Sequence, residues 1–198
     1  MSNPDALLHD FQSITEPLRL EEIFVTPQPT ELEIGCGDGG FLLEHAQRHP
    51  ERNFLGVERL LGRVRKLSKN GQRADLTNLR LLRIEARYVL DYLLPERAFS
   101  AAHVYFPDPW PKDKHARHRL IQSDFLPRIR RVLAPGGVLY LRTDDLPYFE
   151  QMQETFQGAA GFTEEPTPAA LSEITTEFER QWLAEGKRTH YAAYCLNG

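Results

Sequence analysis

The chain has 198 residues, of which 41% are hydrophobic and 26% charged, ordinary values that exclude a disordered chain, a collagen-like repeat and a coiled coil. This length makes one domain, residues 1–198, able to bury its own core, with a short extension over residues 1–29. The net charge of −4 advertises neither a nucleic acid nor a membrane. No apolar run approaches the roughly 20 residues that span a bilayer, and Met1 to Asp10 lack a secretory pattern. Two cysteines, Cys36 and Cys195, make no disulfide framework, which points to a reducing, cytoplasmic setting.

Short apolar runs alternate with helical patterns along the chain. Thr30 to Ile34 reads as a strand, Phe41 to Gln47 as a helix and Asn53 to Val57 as a second strand. Arg59 to Gln72 has helical spacing in Leu60, Leu61, Val64 and Leu67. Leu79 to Ile84 is a third strand, followed by a short helix over Val89 to Leu94, and Phe99 to Phe106 is a fourth. His115 to Leu133 reads as a helix broken at Pro127, Pro135 to Gly137 as a turn, Val138 to Thr143 as a fifth strand and Pro147 to Gln157 as a helix. The tail offers two late strands, at Phe162 and at Tyr191 to Leu196, with a loop at Glu164 to Pro168 and a helix near Ser172 to Ala184 between them. Alternation of this kind implies βαβ units and an α/β, doubly wound, mostly parallel sheet with an antiparallel C-terminal strand.

The first strand runs into Glu33-Ile34-Gly35-Cys36-Gly37-Asp38-Gly39. Glycines at a strand-to-helix turn let a ligand approach the backbone. Glu33 is an acid inside an apolar strand, costly to bury without a partner. Glu58 ends the second strand, where a carboxylate can hold the hydroxyls of a bound ribose. The glycine spacing departs from G-x-G-x-x-G, so a cofactor without pyrophosphate fits better than NAD. Cys36 sits among Gly and Asp, as a small buried filler does.

Tyr105-Phe106-Pro107-Asp108-Pro109-Trp110-Pro111-Lys112 leaves the fourth strand at the edge where open α/β sheets bind ligands. Two prolines fix the backbone around Asp108. A basic run follows, with Lys114, His115, Arg117, His118 and Arg119. Charge is segregated: Arg59 to Arg73 carries basic side chains alone, Lys112 to Arg131 is dominated by them, and Asp144 to Glu179 carries acids alone. Such a distribution gives an acidic protein a basic face for phosphates, or else solvated helix faces. The histidines show no metal-ligand spacing with the cysteines, so no metal is expected.

The glycine turn with its acids resembles the Rossmann-like methyltransferases that use S-adenosylmethionine. The Phe106 to Lys112 stretch resembles the signature of the tRNA (guanine-N7)-methyltransferases. That resemblance continues through the basic run, Arg142-Thr143-Asp144, and Thr176-Glu177-Phe178-Glu179. It covers Glu31 to about Tyr194, with four motifs in order. It implies S-adenosyl-L-methionine held by Glu33, Gly35, Gly37, Glu58, Glu85, Ala86 and Asp108, with Asp108 catalytic. It further implies substrate contacts from Lys112, Asp144, Thr176, Glu177, Phe178 and Glu179, and RNA contacts from Lys114, His115, Arg117, His118 and Arg119. The implied target is the variable-loop guanosine of tRNA, with no obligate protein partner and no membrane. The sequence departs from the family at Glu85, where Asp or Asn is more usual, and at Glu177, which replaces Lys. A same-fold methyltransferase acting on a small molecule or protein, and a non-catalytic RNA-binding module, are the alternatives.

Overall fold

The computed structural model describes residues 5–198, and the side chains of Asp113, Glu177, Phe178 and Gln181 lie outside the described residues. Seven strands form one sheet in the order β3-β2-β1-β4-β5-β7-β6. They are β1 (Thr30–Ile34), β2 (Asn53–Glu58), β3 (Leu79–Arg83), β4 (Phe99–Tyr105), β5 (Leu133–Thr143), β6 (Phe162–Glu165) and β7 (His190–Leu196). The first five pair in parallel, and β7 runs antiparallel to both β5 and β6. The order reverses between β1 and β4, so a crevice opens at their carboxyl ends, the usual place for a ligand in such a sheet.

The helices are α1 (Leu20–Ile23), α2 (Gly40–Arg48), α3 (Leu61–Arg73), α4 (Ala86–Tyr88), α5 (Phe125–Val132), α6 (Leu146–Phe156), α7 (Ala169–Glu173) and α8 (Glu177–Ala184). A π turn over Val89–Leu93 continues α4, and Asp113–His118 is a 3-10 turn.

Most boundaries agree with the sequence pattern, and the exceptions have local causes. The long helix expected from His115 is two pieces. Helix α5 starts at Phe125, which puts Pro127 in the first turn, where a missing N–H costs nothing. Strand β5 starts early, at Leu133, pairs there with Phe99, and resumes its ladder at Val138 after a bulge. Gly137 belongs to that bulge, since a Cβ there would lie 2.8 Å from the Ala134 carbonyl and 2.9 Å from that of Phe99. Strand β6 reaches Glu165, into the expected loop, and the single expected tail helix is split into α7 and α8.

The period-2 alternation of strands decides what each face of the sheet holds. Leu32, Ile34, Leu55, Val57, Ala102, Val104, Leu139 and Leu141 point to one face, where they pack with Phe125 and Ile129 of α5 and Met152 of α6 in a continuous apolar core. The other face carries Phe54, Leu79 and Leu81 on β2 and β3 under α2 and α3. On its central strands it carries Glu31, Glu33, His103, Tyr105 and Arg142, all buried.

Three of these groups, Glu31, His103 and Tyr105, form one hydrogen-bonded chain. Glu31 Oε2 accepts from the Nε2 of both His45 and His103, each at 2.9 Å, and its other oxygen accepts from Arg52. His103 Nδ1 meets the Tyr105 hydroxyl at 2.8 Å. Burial alone would raise the Glu31 carboxyl, but the hydrogen bonds from His103 and His45 outweigh it and hold that carboxyl well below its usual range. Burial pushes His103 below its usual range against the pull of Glu31.

Both shifts are depressions, so the stability they bring is present at neutral pH and is lost on acidification. Glu31→Gln is therefore expected to destabilise by about 2–3 kcal/mol at neutral pH, as expected for lost hydrogen bonds to a charge. The deficit should narrow as pH falls below the usual carboxylate value of 4.5, where the parent protein loses the same contribution. Thermal melts of both proteins across that range check it; a gap that stays constant with pH would assign the loss to packing.

Candidate functional site: an acid-lined cavity at the crevice

The turn after β1 is built by backbone conformation. Gly35, Gly37 and Gly39 have φ of +78°, +56° and +85°, a region open chiefly to glycine. A Cβ on Gly39 would meet Leu67 Cδ1 at 2.1 Å. The Gly35 and Cys36 amides donate to the Val57 carbonyl at 2.8 and 3.0 Å, tying the turn to β2. Cys36 is buried and its thiol is pushed up by burial, in keeping with a filler.

Glu58 completes this turn. One carboxylate oxygen accepts from the Gly37 amide at 3.2 Å and the other from the Leu60 amide at 2.8 Å. Arg63 lies 4.0 Å away. The carboxylate is thus fixed at the carboxyl end of β2, facing a cavity of about 810 Å³. Gly35, Glu58, Glu85, Ala86, Asp108, Trp110, Arg117 and His118 all line this cavity. Glu85 caps α4, accepting from the Tyr88 amide at 2.9 Å. Asp108 is exposed at the cavity, and its carboxylate has no hydrogen-bond or ion-pair partner among the described residues.

Glu33 lies below the turn, on the polar face of β1. Its Oε2 is buried with no hydrogen-bond partner. Burial raises this carboxyl to about 8, against the opposing pull of Arg142. A protonated or partnerless acid at this depth is an acceptor waiting for a donor.

The late motif folds differently from the expectation. Thr176 Oγ1 accepts from the Glu179 amide at 3.0 Å, and Glu179 Oε2 accepts from the Thr176 amide at 3.1 Å. This is a capping box at the start of α8. Glu179 also accepts from Arg142 Nη1 at 3.2 Å and from the Tyr191 hydroxyl at 2.9 Å. Its side chain is wholly buried. Glu179, expected to contact the substrate, is thus placed inside the protein, with both carboxylate oxygens engaged by its own chain. The T-x-x-E pattern was the signal for this box in the sequence. The side chains of Glu177 and Phe178, the other members of that motif, lie outside the described residues. Asp144 follows β5 and lies 3.9 Å from Lys187, outside the cavity lining.

The basic run also divides. Lys112, Lys114 and Arg117 are exposed, with no partner among the described residues. His115 and His118 flank Trp110, with ring centroids 5.9 and 5.1 Å from the indole. Arg119, expected to meet RNA, instead turns inward: its Nε donates to the Pro109 carbonyl at 2.7 Å and its Nη1 to Gln151. Further along, Arg128 is held by Asp91 and Asp124, and Arg131 by the carbonyls of Leu90 and Leu94.

One set of metal-competent side chains stands among the described residues, Glu31, His45 and His103, with ligand atoms within 4.8 Å of one another. The two 2.9 Å contacts between these atoms are hydrogen-bond lengths, so the three side chains are paired with one another in this structure. The three residues come from β1, α2 and β4, so no local spacing announced them.

A family model described as a putative methyltransferase matches residues 27–192. A tRNA (guanine-N(7)-)-methyltransferase of Syntrophotalea carbinolica is 33% identical over 190 residues, covering 94% of this chain and 82% of that protein. One from Sodalis glossinidius is 37% identical, covering 87% and 73%. Among solved structures, the 16S rRNA methyltransferase KamB superposes with a TM-score of 0.64 over 90% of this chain and 93% of that one, at 17% identity. The antibiotic-resistance methyltransferase Kmr follows at a TM-score of 0.61 and 21% identity, over 90% of this chain and 92% of its own. At these identities the structures speak for the fold, and the curated relatives and the family model speak for kinship. The chain belongs to the tRNA (guanine-N(7)-)-methyltransferase family.

Proposed function

We propose that this chain transfers a methyl group from S-adenosyl-L-methionine to N7 of guanine in tRNA, at the variable-loop guanosine, with Asp108 at the reacting centre. The observation that carries the reading is a free carboxylate, Asp108, held between two prolines at the cavity that Glu58 and the glycine turn also line, in a chain of this family.

The residues present fit such a cofactor. Glu33 Oε2 is an orphaned buried acceptor beneath the turn, suited to an ammonium group. Glu58 is an anchored acid at the end of β2, suited to ribose hydroxyls. Glu85 and Ala86 line the same cavity one strand further on, suited to the adenine. The cofactor supplies a methyl group already activated on a sulfonium.

What remains for the protein is position and charge. N7 of guanine carries a free lone pair, so no base has to expose it. The methylated purine is cationic, and a fixed carboxylate lowers the energy of that developing charge. Asp108 meets the requirement and can also accept from the N1 and N2 donors of guanine. Lys112, Lys114 and Arg117 stand free beside this centre, suited to phosphates. N7 faces the deep major groove of A-form RNA, which side chains reach poorly. The target base therefore has to be unpaired or drawn out of its stack.

Incubating the protein with labelled cofactor and unmodified tRNA should yield 7-methylguanosine on digestion; a folded, cofactor-binding protein that makes none would refute the reading. Asp108→Ala should lower kcat by roughly 10²–10³-fold and leave the cofactor dissociation constant within a few-fold. An unchanged rate would move the centre elsewhere. Lys112→Ala should weaken tRNA binding and flatten its salt dependence by about one unit of log–log slope, with cofactor affinity kept.

Glu33→Gln separates stability from function. A carboxyl raised to about 8 is held neutral in the fold while the unfolded chain ionises, so it costs stability increasingly from its usual value up to that pH. Without cofactor, the Gln variant should melt higher than the parent at pH 7, by roughly 2–3 kcal/mol, with the gain growing up to about pH 8. The same variant should bind S-adenosylhomocysteine at least about tenfold more weakly. Calorimetry and melts read the two effects; a variant that loses stability would show that Glu33 is a satisfied core acid.

A further inference from the structure

The loop that carries Asp108 cannot hold itself in place. Pro107 and Pro109 contribute no N–H, so the segment has few donors with which to build a turn. Its backbone is also held in sparsely populated conformations, with φ of +50° at Phe106 and +44° at Trp110. Non-glycine residues reach this region at a cost and stay there only when the surroundings insist.

Two contacts supply that insistence. At the start of the loop the Phe106 amide donates to the Arg142 carbonyl at 2.8 Å. Beyond Asp108, Arg119 Nε donates to the Pro109 carbonyl at 2.7 Å. Arg119 is itself fixed from the other side. Its Nη1 donates to Gln151 Oε1 on α6, and its guanidinium lies over the ring of the fully buried Tyr148, 4.9 Å from the centroid. Gln151 Nε2 donates in turn to the Ile121 carbonyl at 3.1 Å. The planar fork thus spans from a rigid helix to the carbonyl next to Asp108, a geometry that a lysine ammonium does not reproduce.

We propose that Arg119 is a positioning residue for methyl transfer: it clamps the Pro109 carbonyl to α6 and so sets where the Asp108 carboxylate stands, and it does not bind RNA phosphate. The proposal rests on the reading that Asp108 is at the reacting centre. It also separates Arg119 from Lys112, Lys114 and Arg117, which share its charge and its stretch of sequence but are exposed with no partner among the described residues.

The test uses the full chain in a Trp182→Phe background, which leaves Trp110 as its one tryptophan. Arg119→Lys, Arg119→Ala and Gln151→Ala are compared for kcat, for cofactor and tRNA dissociation constants, for the salt dependence of tRNA binding, and for acrylamide quenching of Trp110 without RNA. Positioning predicts that Arg119→Lys lowers kcat by roughly 10–100-fold while both dissociation constants stay within about threefold and the salt slope is unchanged. Quenching of Trp110 should rise as the loop loosens. Gln151→Ala should show the same pattern more weakly, and adding it to Arg119→Lys should cost little more, because the two side chains act as one strut.

The opposite result is equally clear. If Arg119→Lys keeps its kcat and Arg119→Ala mainly loses tRNA affinity with a slope shallower by about one, Arg119 is a phosphate contact and the proposal fails. Should Arg119→Ala not fold, Arg119→Lys and Gln151→Ala still decide, because a purely structural loss lowers the melting temperature without parting kcat from binding. Trp110 quenching reports the clamp whatever Asp108 does, so a failure of the Asp108 assignment, seen as turnover by Asp108→Ala, remains distinguishable.

Discussion

Arg142 places a full positive charge where water cannot reach it, and much of the second face of the sheet is organised by that fact. A buried guanidinium is tolerated only when its donors are met on the spot. Here Nη1 reaches the Ile174 carbonyl and Glu179, Nη2 reaches the Leu171 carbonyl, and the group lies 4.1 Å from the centroid of Tyr105, with Nε alone of its nitrogens lacking a hydrogen-bond partner among the described residues. The partners belong to α7, to the turn after it and to α8, so the charge on β5 draws the C-terminal third of the chain down onto the carboxyl ends of the strands. Glu179, pulled inward to meet it, also closes the capping box that starts α8. Packing then follows the charge: Leu171 and Ile174 seal Phe41 and Tyr105 from solvent.

The same charge reaches Glu33. Arg142 lowers that carboxyl, but less than burial raises it, and the carboxyl is left without a hydrogen-bond partner at Oε2. Glu31, two residues earlier on the same face, shows what a structural acid looks like: three donors on two oxygens and a carboxyl held low. The contrast between neighbours on one strand is what supports the proposed role of Glu33 toward the cofactor. Unsatisfied buried groups of this kind gather at functional sites.

Much of this was legible in the sequence. Alternating strands and helices pointed to the doubly wound sheet, and Glu33 stood out as an acid inside an apolar strand. The glycine turn, Glu58, Glu85 and the Pro-Asp-Pro segment converge on one cavity because strand ends at a switch point must converge. What escaped were pairings between distant segments. Arg119 and Lys114 look alike in a basic run, and only the fold shows that one faces Pro109 and Gln151 while the other faces solvent. Thr176 and Glu179 carry the local signature of a capping box, T-x-x-E, and it is this pairing that the fold realises. The Glu31 cluster joins three elements whose spacing along the chain says nothing about their meeting.

The division of the basic run bears on how an acidic protein can serve an anionic polymer. A cationic product favours carboxylates at the centre, whereas a phosphate backbone favours cations, and the two demands conflict within a Debye length of about 8–10 Å. The fold separates them by depth. Glu33 and Glu58 sit at strand ends, where protein shields them from solvent, and Asp108 stands at the cavity with no ion-pair partner among the described residues. Lys112 and Lys114 stand exposed outside the cavity on the 3-10 turn and its approach, and Arg117, exposed on the same turn, lines it. Arg119 lies on the boundary. Had its guanidinium swung towards Asp108 it would have paired with that carboxylate. Engaged by Pro109 and Gln151, it contributes its rigidity and keeps its charge away from the centre. The distribution of charge, and the direction in which each cation is tied, therefore matter more to the chemistry than the net charge of −4.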